Sequence, residues 1–512
     1  MTKNVVDNTK NNDGSYTGKN RISIWLFIVK AIALLAIAAV VMQAVFKVVQ
    51  RKESYEKYAD FFDVADQIDV LYLGSSHVIN GVNPVQIFEQ YGYTGYNMGG
   101  HGSVMPATYW ELMIALQYCD PKVVFVDTYM LEKNYQYIDV MDENATADDL
   151  NTSVEQLHLN MDCWPYSSVK KAAIEDLIYD KELHQDFLFD FELYHERWTE
   201  LDKNDFLRLK GTGDRNLLMG GEKRTLVHGT YTLEERTEGL QEETVSMQYL
   251  RKIIEECQSR GIVVVTMLLP LAQLQSQDMA VAATTEQISA EYGIPCLNMI
   301  QDTSIVNLYT DLNDAGHLNV GGMNRVSSYL GKWLNDNESG ILTDHRGDSA
   351  YSRWTDRVVQ SHEAESSLVE ASDNAYSALL TLYDETTFDY VVYVKGNSSA
   401  YTNVAFLQLI EELSGTTEVE TAAAVGGPYL FMHGVADGIE NLEICGDQQP
   451  APFGSKLGNI TYLGLHDFAA IYVNDDTENN LLDMNEHYND DVQILLINKE
   501  TGEIYNHLCF SL

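Results

Sequence analysis

Three short stretches of the chain bring together side chains suited to nucleophilic catalysis. The first is LGSSHVING, Leu73 to Gly81, where two serines follow a glycine that closes an apolar run. A serine at the exit of a strand and the mouth of a helix can attack a carbonyl, and helix N–H groups there can face the developing oxyanion. The second is YNMGGHGS, Tyr96 to Ser103, whose glycines let main chain come close to a ligand. It does not match the dinucleotide pattern GxGxxG. The third is DLNDAGHLNVGG, Asp311 to Gly322, with Asp314 and His317 three positions apart. In a turn that spacing lets the carboxylate accept from one imidazole nitrogen while the other faces a nucleophile. Taken singly, each stretch also fits a plain structural role, as an N-cap, a glycine turn or a capping turn. One D-x-x-H lacks further ligands at metal-like spacing, so no metal is expected, and no cofactor is called for.

Such residues need a scaffold that presents strand ends. From about residue 67 the pattern alternates apolar strands with helices. Strands are expected at 68–74, at 95–100, at 122–129, at 261–270 and at 294–299. Helices are expected at 109–118, 246–260, 284–293 and 324–336. The alternation predicts an α/β fold with a parallel sheet covered on both faces. The serine stretch then follows the first strand, the glycine turn the second, and the Asp-x-x-His turn precedes the last helix. That is the carboxyl edge of the sheet, where open α/β folds bind ligands. Residues 130–240 lose the rhythm and read as an insertion. Its Trp164, Tyr166, Tyr194, His195 and Trp198 are candidates to shape an acceptor cleft.

Outside 67–337 the composition changes. Residues 1–21 form a polar tail. Ile22 to Phe46 is largely apolar, with Lys30 its one charge, and as a helix would reach about 37 Å, enough to span a bilayer. A cleaved signal peptide is the alternative, but the run is long for one and no A-x-A site follows. Basic residues flank both ends, so charge alone gives no orientation. Residues 338–373 read as a polar linker. Residues 374–512 form an acidic, β-rich accessory domain whose only basic side chains, histidine aside, are Lys395, Lys456 and Lys499. The whole chain carries a formal charge of −43, which excludes nucleic-acid binding. Of the six cysteines only Cys445 and Cys509 fall in one small domain, where they could pair.

The order of the three blocks resembles the SGNH (GDSL-type) hydrolase superfamily. Gly74-Ser75-Ser76 stands where the family has G-D-S, Asn97 through Gly102 fits its N-x-x-x-x-G block, and Asp314 and His317 match its D-x-x-H. The resemblance implies a three-layer, flavodoxin-like fold and a triad of nucleophile Ser76, base His317 and orienting acid Asp314. It implies an oxyanion hole that uses Gly102 and Asn97. His77 and His101 flank these blocks and are candidate pocket residues. The chain departs from the family at Ser75 and at Val126-Asp127-Thr128-Tyr129, where the block that supplies an oxyanion-hole asparagine is missing.

Gly-Ser-Ser-His and D-x-x-H-L-N are similar to a subgroup that includes the membrane-anchored D-alanine transfer protein of teichoic acid synthesis. The same subgroup includes SGNH-like partners of membrane-bound O-acyltransferases. It implies a cytoplasmic tail, a single-pass anchor in the cell membrane and an extracytoplasmic body. The activity implied is that of a serine esterase or O-acyltransferase on an acylated polysaccharide or cell-wall polymer, with a membrane-bound O-acyltransferase as partner. A catalytically inactive scaffold or glycan-binding protein of the same fold is the alternative. A sensor or adhesion protein centred on the C-terminal domain is a more distant one.

Overall fold

Short runs of branched and aromatic residues build the central sheet. In the computed structural model, which describes residues 16–134, 147–189, 191–212, 215–383, 387–482 and 486–512, they form five parallel strands. These are β1 (Val70–Leu73), β2 (Gly95–Asn97), β3 (Val123–Asp127), β4 (Val263–Leu268) and β5 (Cys296–Asn298). Their order is β2-β1-β3-β4-β5, the flavodoxin-like arrangement of a doubly wound sheet. Val70 of β1 aligns with Gly95 of β2 and Val123 of β3.

Alternation sorts the side chains onto two faces. Leu71, Leu73, Val124 and Val126 enter one core, beneath helices Tyr55–Val64, Met105–Ala115, Val245–Ser259 and Ser276–Tyr292. Val70, Tyr72, Val123 and Phe125 enter the other, beneath Ser76–Gly81, Pro84–Tyr91 and Val320–Glu338. Both faces are therefore covered, as the near-continuous apolar strands require.

The chain divides into two compact units, one of residues 53–188 with 215–512 and the other of 1–52 with 189–214. The second unit holds the helix Tyr16–Val49, within which Ile24–Val49 is long and apolar enough to cross a membrane. The polar tail expected at 1–21 lies outside the described residues up to position 15, and residues 16–21 already belong to this helix.

The 338–373 stretch contains a helix, Ser352–Glu370, anchored by Trp354, which is fully buried against Phe88. Beyond it the chain builds two antiparallel sheets. Their strands are β6 (Phe388–Val394), β7 (Tyr429–His433), β8 (Asn441–Cys445), β9 (Phe453–Ser455), β10 (Gly458–Gly464), β11 (Ala469–Val473), β12 (Val492–Asn498) and β13 (Ile504–Phe510). Five of these form the order β13-β12-β6-β7-β8, and β11-β10-β9 form a smaller sheet. Phe388, Tyr390, Val392 and Val394 face helices Ala375–Leu382, Val404–Ser414 and Glu418–Val425, whereas Val391 and Tyr393 face the smaller sheet. No disulfide joins Cys445 and Cys509.

Candidate active site

Gly74 follows β1 with φ +149°, and a Cβ there would fall 2.7 Å from Val78 Cγ2 and 2.8 Å from Asp127 Cβ. Only glycine fits such a turn. Ser75 then caps the following helix, its hydroxyl accepting from His77 N–H at 3.3 Å. Ser76 is the first helical residue, so its own N–H has no intrahelical acceptor. Ser75 thus makes a competent cap.

A second loop delivers the partners. Leu312 and Leu318 bridge antiparallel, and Asn313 N–H donates to His317 O at 2.8 Å, closing a tight loop around Asp314 and His317. His317 Nδ1 lies 2.9 Å from Asp314 Oδ1, and His317 Nε2 lies 2.8 Å from Ser76 Oγ. With the Nδ1 proton directed at the carboxylate, Nε2 accepts the serine hydroxyl. Partial burial pushes Asp314 up. The Gly316 N–H, His317 and the Asn313 amide outweigh that and hold its carboxyl at about 2. Asp314 is therefore an anion at neutral pH.

The glycine turn lies against the serine helix. A Cβ on Gly99 would meet Ser75 O at 2.8 Å and Ile79 N at 2.9 Å, and Gly100 N–H donates to Gly74 O. Gly102, with φ +58°, turns the chain where Gln156 fills the space a Cβ would need.

Asn97 does not serve as expected. Its amide nitrogen donates to Val78 O at 2.6 Å and to Val82 O at 2.8 Å, and its oxygen accepts from Gly99 N–H. It is fully buried, and both amide hydrogens are committed to main chain. It ties the glycine turn to the serine helix and has no hydrogen left to offer an oxyanion.

His77 does reach the site. Its ring lies tilted with its centroid 3.9 Å from that of Tyr129 and stands edge-on 5.2 Å from His317. Burial pushes it down to about 3, so it is a neutral wall beside the base. His101 is tied through its main chain to Asn160, N–H to Oδ1 and O to Nδ2, each at 3.0 Å. No contact joins it to Ser76 or His317 among the described residues.

Asn160 and Lys57 carry roles that the sequence reading missed. Asn160, nearly fully buried on the insertion helix Ala147–Met161, clamps the glycine turn. Buried Lys57 donates to Gly99 O. Neither sits in a motif; only their tertiary contacts mark them. At the missing third block, Thr128 donates to Met267 O and shares a hydrogen with Thr285 Oγ1. Asp127 is buried, and no donor closes fully on either of its oxygens. Burial pushes it up to about 7, only partly offset by the main-chain N–H groups of Tyr129, Leu269 and Thr128.

Of the insertion aromatics proposed for a cleft, Trp164 is buried in the core, whereas Tyr166 is exposed. Tyr194, His195 and Trp198 fold with the N-terminal helix.

No protein-family model matches the chain, and no curated protein matches it. Among solved structures it is similar to a G-D-S-L family protein from Desulfitobacterium hafniense, at 10% identity over 51% of this chain and 97% of that one, with a TM-score of 0.26. It is also similar to a GDSL-like lipase from Bacteroides thetaiotaomicron, at 12% identity over 55% and 97%, with a TM-score of 0.27. Scores of that size carry no weight for this chain, and its chemistry rests on its own geometry.

Proposed function

We propose that the chain is a membrane-anchored serine esterase or O-acyltransferase of SGNH type. The observation that supports this best is the continuous relay from Ser76 Oγ to His317 Nε2 and from His317 Nδ1 to Asp314, at 2.8 and 2.9 Å. In this reading His317 takes the Ser76 proton as Oγ attacks an acyl carbonyl. The oxyanion is held by the Ser76 N–H, with Gly102 as the second donor. His317 returns the proton to the leaving alkoxide, leaving an acyl-enzyme. An acceptor hydroxyl, from water or a sugar, then gives its proton to His317 and takes the acyl group. The acceptor class we propose is an extracytoplasmic polysaccharide or cell-wall polymer, with a membrane-bound O-acyltransferase as partner.

The commitment of Asn97 to main chain favours one second reading, a scaffold or glycan-binding protein that keeps the fold without turnover. A fluorophosphonate probe separates the two. We expect covalent labelling of the full chain that maps to Ser76 and disappears in Ser76→Ala. Intact protein that stays unlabelled would move the scaffold reading ahead.

A further inference from the structure

The helix Ile24–Val49 would reach about 39 Å, against a hydrocarbon layer of about 30 Å, so its last turns emerge among lipid headgroups. Its large apolar side chains are exposed as far as Val45, but Val48 and Val49 are buried. The cover comes from segment 189–212 of the same compact unit. Phe191 packs 4.5 Å from Phe46, and Arg51 donates to the Tyr194 hydroxyl at 2.9 Å. Arg197 donates to the carbonyls of Val49 and Gln50, and Arg208 to that of Gln50. Those are carbonyls that a helix end leaves unpaired. Asp205, almost wholly buried, joins Arg197 at 3.0 Å, Arg208 at 3.3 Å and Lys52 at 3.6 Å. The segment is therefore fastened around the point where the helix ends.

Its exposed surface carries five large apolar side chains among charged ones such as Glu196, Glu200 and Asp202. Phe189, Leu193, Trp198, Phe206 and Leu209 are 62%, 43%, 70%, 53% and 46% exposed. The acidic residues of the segment outnumber its basic ones, so anionic lipid would not attract it by charge. Large aromatic and aliphatic side chains next to a spanning helix suit the boundary between headgroups and acyl chains.

We infer that segment 189–212 is a collar seated in the bilayer interface, an inference that rests on reading Ile24–Val49 as a membrane anchor.

The test uses the full chain in phosphatidylcholine vesicles, with or without lipid brominated near the glycerol end of its acyl chains. Subtracting the emission of Trp198→Phe from that of wild type isolates Trp198 and cancels Trp25 of the span. The collar predicts that brominated lipid removes about half or more of this signal, while aqueous iodide removes little. Quenching by iodide alone would overturn it, because Trp198 would then face water. Quenching by neither would also overturn it and point to cover by a second copy. A chain stripped from vesicles by alkaline carbonate would overturn the anchor and the collar together. Should Trp198→Phe fold poorly, Phe206→Trp in the wild-type background supplies a second reporter, read as added emission with the same outcomes.

Discussion

At the residue scale the Asp314 carboxylate decides which imidazole nitrogen keeps the proton. It accepts from the main-chain N–H groups of Gly316 and His317 and from His317 Nδ1. Asp314→Asn would present a donor to Nδ1 and favour the wrong tautomer. Ester turnover should then fall by about 10⁴-fold with the thermal midpoint little changed. Because its carboxyl titrates at about 2, acid loss of turnover above pH 4 belongs to another group. Asp127 shows the opposite behaviour. Burial raises it from its ordinary 3.8 to about 7, so the folded state favours the protonated form. That stabilisation is complete below about pH 4 and is lost as pH rises through about 7. In Asp127→Asn the fall in unfolding free energy between pH 4 and pH 8 should shrink, by up to about 4 kcal/mol. Urea titrations across that range measure it. The slope that remains includes Glu111, which burial also raises to about 7.

At the element scale three loops must hold register for Ser76 and His317 to meet. The serine helix is strapped by the end of the insertion, where Glu222 N–H donates to Ile79 O and Arg224 to Asn80 Oδ1. The same strap continues to the Asp-His loop, where Leu226 N–H donates to Asn313 Oδ1 and His228 N–H to Leu312 O. The insertion also clamps the glycine turn through Asn160. Asn160→Ala leaves the His101 N–H and C=O without their amide partner, a loss of about 1–3 kcal/mol. We expect turnover to drop by about tenfold or more while the far-ultraviolet spectrum stays native. The five parallel strands were legible in the sequence because runs such as VVFVD have a strand's length and apolarity, and the meeting of Ser76, His317 and Asp314 because their blocks sit at strand and helix ends. The insertion's structural work was not legible. Asn160 lies in a polar helix whose partners are about sixty residues away in sequence, and no local pattern encodes such a contact. The role of Asn97 was misread for the same reason: a motif names the residue but not where its amide points.

At the scale of the whole molecule the C-terminal domain is tied to the α/β body near the loop that carries His317. Asp311, fully buried and raised to about 6 by burial, meets Arg325 at 2.9 Å, and Arg325 meets Glu412 of the C-terminal domain at 2.8 Å. Asn307 adds a bond to the same Glu412. Arg325→Ala would leave Asp311 buried and unpaired, which should lower stability in urea by about 2–3 kcal/mol, since Arg325 is itself a third exposed. Composition foretold this domain's acidity and its β-rich character. Helices Ala375–Leu382 and Glu418–Val425 escaped notice: one is apolar all round and the other short and alanine-rich, so neither shows a helical stripe. The helix Ser352–Glu370 was hidden for the opposite reason, a polar surface with few buried side chains.

The most direct test of the central claim is turnover of p-nitrophenyl acetate by the full chain in detergent, beside Ser76→Ala and His317→Ala. Both variants should fold and both should lose about a thousandfold or more, as members of one relay do. Equal rates in all three proteins would mean that Ser76 and His317 meet in the structure without acting together in catalysis.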